Sequence, residues 1–137
     1  MRPFLLQGAL LISFLSCSSK DDIESFMDVD ITKYNAQISK WKATGEINTN
    51  DPILITRELF RYDDPERKTI IDFETKTFDN VRITLTQEGL SDDSAYGEKR
   101  IIDLQRVNNS WIIQRIRLGF KCQKNRGHTN YSGYLCN

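Results

Sequence analysis

The stretch Val81-Arg82-Ile83-Thr84-Leu85-Thr86 decides the fold. Apolar and polar residues alternate through it with period two, the pattern of a strand with one buried face. Val81, Ile83 and Leu85 turn inward, and Arg82, Thr84 and Thr86 turn outward. The same period spreads in both directions. Upstream, Ile71 and Phe73 form one face of a strand near 69 to 76, and Asp79-Asn80 turns the chain. Downstream, Gly89 to Gly97 makes a turn region. Residues 98 to 107 then give a third strand with Ile102 and Leu104. Asn108-Asn109-Ser110 is a tight turn, and Trp111 to Phe120 is a long strand predicted to carry Ile112, Ile116, Leu118 and Phe120 on one face. Four strands joined by short turns form an antiparallel meander.

Before the meander the period changes. Ile31, Tyr34, Ile38 and Trp41 recur at spacings of three and four, which is one apolar stripe of a helix over about 30 to 44. Gly45 ends it. Asn50-Asp51-Pro52 combines a cap residue with a proline suited to a first turn. Ile53-Leu54-Ile55 and Leu59-Phe60 follow as a short helix, although the same letters also suit a strand. Asp63-Asp64-Pro65-Glu66 reads as a turn. The expected class is α+β, with one or two N-terminal helices packed on a four-stranded antiparallel meander. Cystatin-like and NTF2-like folds share this order, an analogy of fold alone.

The amino end carries an address. Met1-Arg2-Pro3 leads into an apolar run, Phe4 to Leu15, with small residues after it. This is the layout of a secretory signal peptide, and the run is short of the roughly 20 apolar residues that span a bilayer. Phe14-Leu15-Ser16-Cys17 resembles a bacterial lipobox, with Phe14 where Leu is usual. The resemblance implies that Cys17 is acylated and becomes the mature N-terminus, tying the chain to a membrane; an ordinary secreted protein is the other reading. Lys20-Asp21-Asp22 resembles the acidic tag of lipoproteins displayed on the outer membrane. The expected map is a signal peptide over 1–16, a lipidated cysteine and flexible tether over 17–29, and one domain over 30–137.

Charge and cysteines narrow the function. The 137 residues carry 19 basic and 19 acidic side chains. Such a balance does not suit phosphate-backbone binding, so nucleic acid is not an expected partner. With Cys17 spent on lipid, Cys122 and Cys136 are left as a pair, and an exported protein can join them in a disulfide. The rival is a metal site built from Cys122, His128 and Cys136, which has three ligands and no CxxC spacing. No metal or other cofactor is therefore expected. No nucleophile-elbow, HExxH or phosphate-loop motif is present, so no catalytic residue is assigned.

Charge is nevertheless uneven. Residues 63–98 hold ten acids and four bases, and residues 99–137 hold eight bases and the single acid Asp103. Either these charges pair across neighbouring strands, or Arg115, Arg117, Lys121, Lys124 and Arg126 make a basic face for an anionic ligand. Two segments stand out: Gly89-Leu90-Ser91-Asp92-Asp93-Ser94, and the run from Cys122 through Arg126-Gly127-His128 and Tyr131-Ser132 to Cys136. Together they resemble a group of small exported bacterial proteins carrying GLxDDS after a strand and later CxxxRGHxx(aromatic)SxxxC. The resemblance covers about residues 80 to 137. It implies a disulfide-closed tail and export, and it brings no activity with it.

A meander places both segments at one end of the sheet, so Asp92, Asp93 and Ser94 are expected near Arg126, His128 and Tyr131. Three uses of that cluster are open. Arg126 can bond Asp92 or Asp93 and fix the tail. Arg126, His128 and Tyr131 can bind an anionic or glycan ligand. Or His128 can act as general base for Ser94 or Ser132. The expectation is a cell-envelope lipoprotein with a binding or scaffolding role. The alternatives are a small envelope hydrolase and an inhibitor or immunity protein that engages another envelope protein.

Overall fold

The computed structural model describes residues 20–61 and 65–137. The predicted signal peptide and Cys17 lie outside the described residues, as do Asp63 and Asp64 of the turn read at 63–66; Pro65 and Glu66 form a turn. The fold is α+β: two helices and a five-stranded antiparallel sheet. The strands are β1 (Met27–Asp28), β2 (Lys68–Thr77), β3 (Asn80–Glu88), β4 (Ala95–Val107) and β5 (Ser110–Cys122), in spatial order β1-β5-β4-β3-β2. The helices are α1 (Thr32–Thr44) and α2 (Pro52–Phe60). None of the described helices is long and apolar enough to cross a membrane.

Local chemistry explains each boundary. Gly45 closes α1 at φ 69°, where its N–H bonds the Trp41 carbonyl, a left-handed position that glycine adopts without strain. The 51–61 segment is a helix. Asp51 caps it, its Oδ1 accepting from the N–H groups of Ile53 at 2.9 Å and Leu54 at 3.1 Å, with Pro52 in the first turn. Asn108 and Asn109 both take positive φ, 49° and 57°, which gives the two-residue hairpin between β4 and β5 the twist that antiparallel strands favour.

The core lies between the helices and one sheet face. Ile38, Trp41 and Ile55 from the helices meet Val81, Ile83, Ile102, Leu104, Trp111, Ile113 and Ile116. Here the expected face of β5 is wrong at Ile112. Between the pairs Asp103–Arg115 and Leu104–Ile113 the register slips by a residue. That bulge puts Gln114 out of step, so Ile113 is buried and Ile112 is only half-buried. A bulge reverses the alternation on one side of itself, which a strict period-two reading cannot see.

The larger correction is the fifth strand. The stretch read as loose tether is attached from Asp21 onward. A single 3-10 turn, Ile23–Ser25, leads to β1, which pairs Met27 with Leu118 and Asp28 with Arg117. Phe26 is buried and forms a second apolar cluster with Ile101 and Tyr131 on the sheet face opposite the helices. Its ring lies on Gly119: a Cβ built there would stand 2.3 Å from Phe26 Cε1. Two strand residues carry no detectable periodicity, so nothing local signals this strand.

Candidate functional site

The tail after β5 is tied down by covalent and main-chain bonds. Cys122 and Cys136 form a disulfide across Cα atoms 5.4 Å apart. Ser132 exchanges two main-chain bonds with Phe120, at 2.7 and 2.9 Å, and so continues the sheet by one bridge. The Asn137 N–H bonds the Arg126 carbonyl at 2.8 Å.

The Gly89–Ser94 turn and this tail do share one end of the sheet. Ala95 pairs with Cys122. The Gln123 N–H donates to the Ser94 carbonyl at 2.7 Å, and the Gln123 side chain donates to the Asp92 carbonyl at 3.3 Å. Between the two segments lies a cleft of about 320 Å³ lined by Asp92, Ser94, Ala95, Phe120, Leu135 and Cys136.

The individual residues sort differently from the expected cluster. Asp92 is exposed, and its Oδ1 accepts from the Ser94 N–H, the Ser94 hydroxyl and the Ala95 N–H at 2.7 to 2.8 Å. Those bonds, led by the one from Ala95, stabilise the ionised form and hold its pKa at about 2. Asp92 therefore shapes its own turn and makes no ion pair with Arg126. Asp93 and Arg126 are both exposed, and among the described residues neither forms an ion pair.

His128 braces the tail. Its Nδ1 stands 2.9 Å from the Asn130 carbonyl oxygen and its Nε2 stands 2.9 Å from the Tyr134 carbonyl oxygen. Both ring nitrogens thus face carbonyl oxygens of the tail's own backbone, one of them donating its N–H, and neither is bonded to Ser94 or Ser132. Ser132 is itself buried, its hydroxyl 3.1 Å from that of Ser25 and accepting from the Tyr134 N–H. A general base must lie within hydrogen-bond reach of the proton it takes, and neither serine hydroxyl is a partner of the His128 ring. The sulfurs of Cys122 and Cys136 lie with a His128 nitrogen inside 4.8 Å, a spacing a metal could use. In the disulfide, however, neither sulfur is a thiolate, the form that ligates metal.

Tyr131 sits in a different network, which the sequence reading missed. Its hydroxyl donates to Glu88 Oε1 at 3.1 Å, and its N–H bonds Asp21 Oδ1 at 3.1 Å. Lys121 reaches the same Glu88 oxygen at 3.2 Å. Lys99 pairs with Asp21 and lies 4.4 Å from the centre of the Tyr131 ring. Burial pushes the Tyr131 phenol upward, and the Glu88 charge adds to the shift. At Glu88 burial opposes ionisation, but bonds from Lys121 and Tyr131, with the charges of Lys121 and Lys68, outweigh it and hold the carboxyl below its usual value. The network locks the N-terminal segment to the tail over the sheet. Only an alternating side chain at each position signals it in sequence, and nothing there says that residues 21, 88, 99, 121 and 131 converge.

Of the five residues of the proposed basic face, Arg115 and Lys121 are spent in ion pairs, with Asp28 and Glu88. Arg115 binds Asp28 through two nitrogens, Arg82 binds Asp103 at 2.6 and 3.1 Å, and Arg100 binds Glu98. Arg117 lies opposite Asp28 across the β1–β5 ladder. Of the five residues expected there, Lys124 and Arg126 are exposed and make no ion pair among the described residues. Pairs with acids of the sheet absorb part of the charge asymmetry read along the chain, Arg82 with Asp103 across neighbouring strands among them. No family model, curated protein or solved structure matches the chain.

Proposed function

We propose that this chain is a cell-envelope lipoprotein whose domain binds a saccharide without turning it over. The observation that carries the binding reading is the cleft between the Gly89–Ser94 turn and the disulfide-closed tail. Phe120 and Leu135 offer apolar surface for the CH face of a sugar ring, while the Asp92 carboxylate and Ser94 hydroxyl at the rim suit its hydroxyls. Aromatic and aliphatic walls with a few placed polar groups are the ordinary make-up of a small-ligand site. The disulfide fixes one wall, so little ordering is required on binding. The placing of His128 against the tail's carbonyls, with no serine hydroxyl as a partner, argues against the hydrolase alternative.

The address rests on the Cys17 lipobox resemblance, and the group resemblance in GLxDDS and the Cys122–Cys136 motif supports export. The cystatin- and NTF2-like analogy extends to helices preceding an antiparallel meander and no further. An inhibitor or immunity role would use the same domain against an envelope protein.

Titration calorimetry with soluble envelope glycan fragments tests the proposal. Binding that Phe120→Ala weakens at least tenfold, with His128→Ala leaving it largely intact, is the expected outcome. Hydrolysis of those fragments that His128→Ala abolishes, with the fold unchanged, would establish the enzyme instead. Intact mass of the membrane-extracted protein checks the anchor: acyl mass on Cys17 supports it, and an uncleaved chain removes it.

A further inference from the structure

The two edges of the sheet are treated differently. On the β5 side, β1 pairs with Leu118 and Arg117, and the Val29 N–H bonds the Ile116 carbonyl. The Asn35 side chain exchanges two 2.9 Å bonds with Ile113, and the Trp111 N–H bonds the Thr49 carbonyl. That edge is covered along most of its length. On the other side, β2 runs ten residues, and among the described residues no strand pairs beyond it. Ile70, Ile71 and Phe73 are 39%, 36% and 46% exposed at its centre. Natural edge strands are usually short, bulged, or interrupted by charge or proline. The bulge in β2 lies at its end, at Thr75–Thr77, and leaves Ile70-Ile71-Asp72-Phe73 regular; the charges Lys68, Asp72, Glu74 and Lys76 are of both signs, so they can choose a pairing register as well as discourage pairing.

We propose that β2 is the pairing edge of a two-fold homodimer. The β2 strands of two copies join antiparallel with Ile71 opposite the partner's Ile71, giving a continuous ten-stranded sheet. Charge selects that register. It sets Lys68 opposite Glu74 twice, once in each direction, adding to the pairs these exposed side chains make with Glu88 and Lys76 in their own chain, and Thr69 opposite Phe73. Moving two residues one way sets Lys68 opposite Lys76 and Asp72 opposite Asp72. Moving two residues the other way keeps a favourable contact, Lys68 opposite Asp72, but adds Glu66 opposite Glu74 in each direction. Like charges directly opposite destabilise a strand pair, and opposite charges support it. Assembly stops at two copies because the edge left on each side carries only the two-residue β1. A two-fold contact uses the same patch on both chains and so closes.

Cysteine cross-linking of the full-length chain in its membrane tests this. Ile71→Cys is expected to form a disulfide-linked dimer in most of the population under mild oxidation. Thr75→Cys is expected to yield less than a tenth as much, because this register holds its two copies roughly 27 Å apart. Both side chains are exposed, so neither change disturbs the core. In the Ile71→Cys background, Lys68→Glu or Glu74→Lys alone should cut the yield about tenfold, and the two together should restore it. Absence of the Ile71 cross-link, an equal cross-link at Thr75, or failure of the double reversal to rescue would overturn the proposal.

Discussion

Gly119→Ala tests whether the N-terminal segment belongs to the fold. A methyl group at this position would meet Phe26 Cε1 at 2.3 Å, Cζ at 2.5 Å and Cδ1 at 2.7 Å. Those atoms belong to a ring that is 5% exposed and packed against Ile101 and Tyr131, so it cannot step aside freely. Overpacking of this kind costs about 1–3 kcal/mol. In a strand where nothing blocks it, the same substitution should be favourable, by about 0.5–1 kcal/mol, because alanine has less backbone entropy to lose than glycine. The sign therefore depends on Phe26. Phe26→Leu keeps an apolar plug and deletes the ring atoms nearest Gly119. In that background Gly119→Ala should be neutral or stabilising, giving a coupling of roughly 2 kcal/mol between the two sites. Urea titrations of the parent, both single variants and the double variant measure it, provided the slopes stay equal. If Gly119→Ala stabilises the parent, Phe26 is not seated on β5 and the account of β1 fails.

Further outcomes follow from the tail and its network. Cys122→Ser with Cys136→Ser opens a loop with a sequence separation of 14, which should cost about 3 kcal/mol and lower the melting temperature by roughly 10 °C; an unchanged melt would show that the bond constrains nothing. Asp92 has its folded pKa depressed to about 2 from 3.8, so its contribution is present above 3.8 and is lost as pH falls toward 2. Asp92→Asn should flatten the stability profile in that window, read by thermal melts across acid pH. Tyr131 is shifted the other way, above its ordinary 10.0. Its contribution is complete below pH 10 and is withdrawn as pH rises beyond it, because the unfolded chain ionises first. Tyr131→Phe should flatten that alkaline limb and, by removing the bond to Glu88, cost about 1 kcal/mol at neutral pH.

The sequence by itself determined the class and most of the element plan. Period-two alternation over Val81–Thr86 marks a strand whatever surrounds it, and Gly45, Asp51-Pro52 and Asn108-Asn109 punctuate the chain through local conformational energetics. The pairing of Cys122 with Cys136 was also legible, since it follows from parity once export is granted. Only the tertiary structure decided the rest. β1 forms because Gly119 leaves room for Phe26, a condition written 93 residues along the chain from that ring. The Gln114 bulge, not the local pattern, chooses Ile113 over Ile112 for the core. Asp92 and Arg126 have complementary charges and come to the same end of the sheet, yet Asp92 bonds its own turn, where the donors are already in place and no long side chain must be ordered. Tyr131 joins Glu88, Lys99, Lys121 and Asp21 because adjacent strands and the tail deliver them to one face, and that convergence is a property of register, which no window along the chain contains.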